Sequence, residues 1–153
     1  MGTGPPLGRM LIAAGVAAGA TLAIDQLSKA VVRATVPEWH PLDGSVGITH
    51  QRNYGSAYAF LPAVPAWGAY VGSALVGAGA FAAGARFSSN PVLAAMGAGM
   101  MFGGGVGNAI DRSRQGYVTD FIHTSDLFGV YNLADASLMS GAGLIGLSFM
   151  TRS

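Results

Sequence analysis

The sequence predicts an all-α membrane protein: four transmembrane helices in one domain (1–153), with a small extramembrane β element between the first two spans. Three observations predict it. Hydrophobic residues make up 51% of the chain, while Asp, Glu, Lys and Arg supply only 10%. Residues 65–85 and 91–110 carry no charge over about twenty positions each, enough for a hydrocarbon core of about 30 Å at 1.5 Å per residue. The 24 glycines suit transmembrane helices, whose backbones approach closely where side chains are small. The same composition excludes disorder, and the lack of a Gly period excludes collagen. A net charge of +1 provides no field for nucleic acid. Without Cys there is no disulfide, thiolate nucleophile or Cys-bound zinc.

The first span, about 10–33, starts behind Arg9 and continues in helical pattern through Asp25, Lys29 and Arg33 towards Pro37. Its apolar start resembles a secretory leader, but three further apolar stretches follow and no tidy cleavage site does, so it reads as a retained span. Pro37, Pro41 and Gly44 then break the helix, and residues 45–50 loosely alternate polar with apolar or small, as a short strand does. The β element is placed at about 42–60. The second span (65–85) and third (91–111) are joined by a tight hydrophilic turn at 86–90. The fourth, 130–151, is uncharged except for Asp135 near its head. Both termini then share one side. The Gly15–Gly19, Gly68–Gly72 and Gly99–Gly103 pairs read as helix-packing contacts.

All 7 acids fall at or beyond the face opposite the termini. The termini face holds Arg9, Arg86 and Arg152, but Lys29, Arg33, Arg52, Arg112 and Arg114 lie on the acidic face. Lysine and arginine counts set orientation, and here they leave it undecided.

Asp120 and Asp135 carry the functional signal. An ionisable group at membrane depth costs roughly 2.5–3.5 kcal/mol, so two retained there suggest use. Carboxylates brought together at a low-dielectric boundary cannot both ionise easily, so one keeps a proton. One then deprotonates a water while the other protonates a scissile carbonyl, and the pair titrates as a unit. Asp120 is expected in a loop. Asp135 heads the fourth helix, whose dipole favours it as the ionised partner and Asp120 as the protonated one. Simple capping by Asn132 and Asp135 explains that end of the helix equally well.

Gly104, Asn108 and Asp111 share a helix face, with Arg112 one turn beyond Asn108. Small Gly surfaces leading to those groups suit a cavity with a polar rim, or else a solvated Asp–Arg pair at a helix end. The Gly cluster is no phosphate loop, since it lacks the Lys-Ser/Thr ending. Ser28 and Lys29 are neighbours that do not face each other, whereas Asp25 and Lys29 sit one turn apart as a structural ion pair. His40, His50 and His123 show no metal spacing and read as polar loop residues. A proton or ion transporter is the competing class, but transporters place their sites near the midplane of repeated halves. A membrane scaffold is the third.

Several motifs together resemble those of the lipoprotein signal peptidase (signal peptidase II) family. Asp25-Gln26-Leu27-Ser28-Lys29 resembles its DQxxK element, and Asn53-Tyr54-Gly55-Ser56-Ala57-Tyr58 its NxGxAF element with Tyr for Phe. Residues 103–112 match GGxxGNxxDR, residues 116–121 match GxVxDF, and residues 131–135 resemble FNxAD. The resemblance implies an aspartic endopeptidase with Asp120 and Asp135 as catalytic dyad. Asn108, Asp111, Arg112 and Asn132 would shape the site, with Asp25, Lys29, Asn53 and Gly55 supporting it or contacting substrate. It implies a diacylglyceryl-modified prolipoprotein as substrate, cut before its lipidated Cys. It further implies a monomer in contact with membrane lipid and not nucleic acid, and no metal or organic cofactor. The setting implied is the bacterial cytoplasmic (inner) membrane, multi-pass, with cytoplasmic termini, a β cradle on the outer face and the site near it. Residues 121–130 are short for the family, which implies an abbreviated lid.

Overall fold

The computed structural model describes residues 7–38, 46–55, 65–125 and 129–150. Helix α1 (Leu7–Thr35) leads to strand β1 (Gly47–Asn53), then helices α2 (Ala66–Phe87) and α3 (Pro91–Gln115). Strands β2 (Val118–Ser125) and β3 (Gly129–Tyr131) precede helix α4 (Leu133–Met150). All four helices are long and apolar enough to cross a membrane, and the chain is a multi-pass membrane protein. Residues 42–45 and 56–60 of the expected β element, with Tyr58, lie outside the described residues. So do His40, 126–128 and 151.

Helix α3 is the hub. More than half of its apolar window is buried, against less than a fifth for each of the other helices. Its glycines set how closely the others approach. A Cβ at Gly99 would sit 2.2 Å from the Ala14 carbonyl oxygen of α1, and one at Gly103 2.5 Å from that of Ala18. Gly97 faces Gly141 of α4, where an added Cβ would lie 2.5 Å from the Gly141 carbonyl oxygen. On the α2 side, a Cβ at Gly105 would meet the Ser73 hydroxyl at 2.2 Å. These glycines fill helix interfaces and do not line a cavity. The Gly99–Gly103 pair is thus a packing contact, but Gly15, Gly19 and Gly72 meet nothing within 4 Å. Spacing alone cannot distinguish a helix face turned to protein from one turned to lipid.

Local chemistry fixes the ends. Asn90 caps α3 by accepting from Leu93 N at 3.2 Å, with Pro91 following in the first turn. Ser88 and Ser89 each donate to the Ser148 carbonyl at 2.9 Å, tying the α2–α3 turn to the end of α4. Gly116 closes α3 at φ 79°, a left-handed position that favours glycine, and turns the chain into β2.

The β element is larger than expected. It is a three-stranded antiparallel sheet in the order β1-β2-β3, and two of its strands come from between α3 and α4. Strand β1 begins at Gly47, within the 45–50 alternation, and runs on to Asn53. Asp120 therefore lies in a strand, not a loop, opposite Gln51. His50 and His123 are also strand residues, and both are buried. The segment expected to be an abbreviated lid supplies the end of β2 and the start of β3.

Gly99→Ala should destabilise the fold by about 1–3 kcal/mol, since a rigid backbone carbonyl occupies the space its methyl needs. Gly19→Ala should be neutral or mildly stabilising, because alanine is the better helix former. Thermal unfolding of both variants in detergent checks this; equal midpoints would refute the packing assignment.

Candidate active site

At the end of the bundle away from the termini, α1, α3 and α4 bring polar groups into the protein interior. Asp25 and Lys29, one helical turn apart on α1, are both fully buried. Lys29 Nζ lies 2.9 Å from Asp25 Oδ2 and 3.2 Å from Asp111 Oδ2 of α3. It also donates to Asn108 Oδ1 at 2.8 Å. The expected Asp25–Lys29 pair is present, but it is part of a wider network. Asp111 is buried with Lys29 and, at 3.6 Å, Arg33. It does not form the solvated pair with Arg112 that sequence spacing allowed.

Asp25 has a second task. Its Oδ1 accepts from Ala134 N at 3.0 Å, which satisfies one of the orphan donors at the start of α4 from another helix. This approach needs bare backbone nearby. A Cβ at Gly107 would come within 2.5 Å of Asp25 Oδ2, and one at Gly104 within 2.6 Å of the Ala134 carbonyl.

Asn132 and Asp135 cap α4 reciprocally. Asp135 N donates to Asn132 Oδ1 at 3.0 Å, and Asn132 N donates to Asp135 Oδ2 at 3.3 Å. That is the logic of a capping box, with Asn and Asp in the two roles. The cap and the site are the same residues. Asn132 Nδ2 reaches Asp120 Oδ1 at 2.6 Å and Asn108 Oδ1 at 3.1 Å, and Asn108 Nδ2 donates to Asp135 Oδ1 at 2.9 Å. One buried carboxamide thus links both aspartates.

The sheet delivers Asp120. In the β1–β2 register Asn53 opposes Val118, so Asp120 is its diagonal neighbour, within reach of a polar side chain. Asn53 Nδ2 donates to Asp120 Oδ2 at 2.9 Å, while Asn53 Oδ1 accepts from Gly55 N at 2.9 Å. Arg112 does not rim the site with Asn108 and Asn132, both of which are buried. It donates to the Gly55 carbonyl at 3.0 Å, fastening the chain just beyond β1 to the end of α3.

Asp120 is 2% exposed. Burial drives its pKa up to about 6; the Asn53 hydrogen bond opposes this, the charge of Asp135 adds to it, and the Asn132 hydrogen bond opposes it again. An unfolded Asp120 loses its proton near 3.8 and the folded one near 6. Its contribution to stability therefore declines as pH rises through that window and levels off above it.

Residues that sequence reasoning passed over complete the site. Gln26 Nε2 donates to Asp25 Oδ2 and to the Gly107 carbonyl, both at 3.1 Å. Thr119 N donates to Asp111 Oδ2 at 3.0 Å, and its hydroxyl accepts from Arg33 at 3.1 Å and from Gln115 at 3.0 Å. Arg33 had a signal, one turn beyond Lys29 on the same helix face. Thr119 had none beyond its place beside Asp120. Among the described residues, no group of three or more His, Cys, Asp and Glu could hold a metal ion.

An apolar groove of about 360 Å³ runs between α1, α3 and α4, lined by residues including Ala20, Met100, Leu133 and Ala136. Leu133 and Ala136 flank the first turn of α4, where Asp135 sits.

Known proteins resemble this chain in sequence and in fold. The family model described as signal peptidase (SPase) II matches residues 17–151. A lipoprotein signal peptidase of Geobacillus thermodenitrificans is 38% identical over 134 residues, covering 84% of this chain and 83% of that protein. One from Caulobacter vibrioides is 33% identical over 144 residues, covering 88% and 84%. A bacterial membrane enzyme solved by the in meso method at 2.3 Å shares the fold, with a TM-score of 0.71 at 24% identity over 90% of this chain and 87% of that one.

Asn132→Ala should cost about 1 kcal/mol or more, through the lost cap and the donors withdrawn from buried Asp120. Asn132→Ser should recover most of the cap term. Unfolding midpoints in detergent measure this, and indistinguishable Ala and Ser variants would contradict it.

Proposed function

The chain belongs to the signal peptidase II family, and from that membership we propose that it cuts diacylglyceryl-modified bacterial prolipoproteins just before the lipidated Cys, with Asp120 and Asp135 as its catalytic dyad. The coarser statement is already secure: this is a membrane-embedded peptidase of a family that removes signal peptides from prolipoproteins. The observation that carries the finer reading is Asn132, whose amide donates to Asp120 while its oxygen accepts from the backbone of Asp135. Two acids from different elements, a strand and a helix head, are held by one buried side chain.

The dyad holds one proton between its members. Asp135, at the positive end of α4, is the ionised partner and Asp120 the protonated one. Asp135 takes a proton from water as its oxygen bonds to the scissile carbonyl carbon, and Asp120 gives its proton to the carbonyl oxygen. Collapse of that intermediate breaks the C–N bond: the amine departs with the proton from Asp135, and a hydroxyl of the intermediate returns its proton to Asp120, restoring the dyad. The products are the carboxylate end of the signal peptide and a new amino group on the lipidated Cys. No metal or organic cofactor takes part.

The acids and their partners gather at the end of the bundle away from the termini. With the cytoplasmic termini that family membership implies, this supports a site near the outer face of the inner membrane. The groove reaching Leu133 and Ala136 supports lateral entry of acyl chains from the bilayer. Asn108, Asp111, Arg112 and Asn132 shape the site. Asp25, Lys29, Asn53 and Gly55 hold those groups in place, and the chain works as a monomer.

Purified protein with a lipidated prolipoprotein tests the assignment. Asp120→Asn and Asp135→Asn should each lower turnover by roughly 10³-fold or more while far-UV circular dichroism is unchanged. Near-parental turnover in either variant removes that residue from the mechanism.

The pH profile is a separate test. Because Asp120 must carry the proton, kcat/KM of the free enzyme should fall as pH rises through about 6. A flat profile between pH 5 and 8 would rule out Asp120 as the acid.

A further inference from the structure

We propose that Lys29 is a positioning residue for the reaction, acting through Asn108: its ammonium fixes the facing of that carboxamide, so that the amide donor and not the oxygen meets Asp135. The inference rests on the dyad assigned above and adds how the bundle polarises it.

An ammonium has three donors and no acceptor, so whatever atom meets it at hydrogen-bond distance must be an acceptor. Lys29 Nζ meets three: Asp25 Oδ2 at 2.9 Å, Asp111 Oδ2 at 3.2 Å and Asn108 Oδ1 at 2.8 Å. With Asn108 Oδ1 committed to that cation, Nδ2 is left for Asp135 Oδ1, at 2.9 Å. The amide of Asn132 follows the same rule, because Asp135 N fixes its oxygen and leaves Nδ2 for Asn108 and Asp120. Asn53 obeys it too, with Gly55 N on its oxygen and Asp120 on its nitrogen. Among the described residues, each aspartate therefore accepts two protein hydrogen bonds: Asp120 from Asn53 and Asn132, Asp135 from Asn108 and the Asn132 backbone. Asn108 Oδ1 has a second donor in Asn132 Nδ2 at 3.1 Å, but among the described residues that anchor the oxygens of these three amides only Lys29 is charged, and charge-assisted hydrogen bonds are the stronger kind.

The charged groups around Lys29 are Asp25 and Arg33 on its own helix, Asp111 on α3, Asp120 on β2 and Asp135 on α4. Lys29 also acts on Asp120 through space. A purely electrostatic or purely structural role would thus not need Asn108, and this separates the alternatives.

The experiment is a double-mutant cycle on single-turnover cleavage of a lipidated prolipoprotein. Removing Lys29 alone leaves buried Asp25 without its cation, while Asp111 keeps Arg33, so the cycle is run in an Asp25→Asn background, where Lys29→Met removes only charge that this substitution has left in excess. Lys29→Met should lower the rate roughly ten-fold or more when Asn108 is present. With Asn108→Ala it should cost less than about two-fold, because the side chain it orients is gone. With Asn108 present, the carboxylate limb of the pH profile should also move up by about one unit, a readout that a loss of fold does not give.

Equal losses with and without Asn108 would overturn the relay and leave only a through-space charge. An unmoved pH limb would reduce Lys29 to a structural role. If Asp120→Asn or Asp135→Asn retained turnover, the dyad itself would fall, and the relay with it. Lys29→Arg supplies a folded check: donors and charge persist, so the pH limb should stay at its parental position.

Discussion

A single buried ammonium must be surrounded by acceptors, and this requirement organises the polar end of the bundle. Lys29 has no exposed surface, and a cation removed from water is costly unless it is paired and fully hydrogen-bonded. Its acceptors come from α1 and α3, and Asn108 and Asp25 pass the constraint on to α4. Helix packing and site geometry are therefore one problem here. The contacts that satisfy the buried charge also hold α1, α3 and α4 together beside Asp120 and Asp135. Replacing such a network with apolar residues often leaves a fold just as stable. Stability alone thus gives no reason to keep it, whereas control of amide facing does.

Glycine makes that network sterically possible. Asp25 reaches Ala134 N across α3 only because Gly104 and Gly107 present bare backbone at the crossing. Further along, Gly97, Gly99 and Gly103 let α1 and α4 lie almost on the α3 backbone. Association of helices in lipid depends on such close packing, since lipid chains are as apolar as the side chains themselves. The same residues that hold the bundle together carry α1 and α4 near enough for their polar ends to share one site.

The sheet contributes Asp120, the other half of the proposed dyad, and gives it a rigid mount. Asp120 stands on the central strand, buried, between β1 and β3. Thr119 beside it is anchored to Asp111, Arg33 and Gln115, so β2 is attached to the helices one residue before the acid. Beyond β1, the Tyr54 and Tyr117 rings lie 5.5 Å apart, and Arg52 stacks over Tyr117 at 4.9 Å. Aromatic groups of this kind favour the membrane–water boundary. Asp120 itself is buried beside them, and that burial raises its pKa.

Much of this was legible in the chain. Uncharged runs gave the helices, since crossing hydrocarbon demands length and forbids charge. The rarity of charge made Asp120 and Asp135 conspicuous, and helical spacing paired Asp25 with Lys29. Spacing along one element could not say what faced it from another. Arg112 lies beside Asp111 in sequence, yet Asp111 turns to Lys29 and Arg33 while Arg112 holds Gly55. Glycine pairs with the same spacing met protein at Gly99–Gly103 and open space at Gly15–Gly19. A sheet built from segments on either side of two helices left only a weak alternation to find. Periodicity and hydropathy are local, so the sequence by itself determined which segments enter the membrane and which acids are costly there. Only the tertiary structure decided which donors meet those acids, because a buried hydrogen bond depends on the facing of groups brought together from distant parts of the chain.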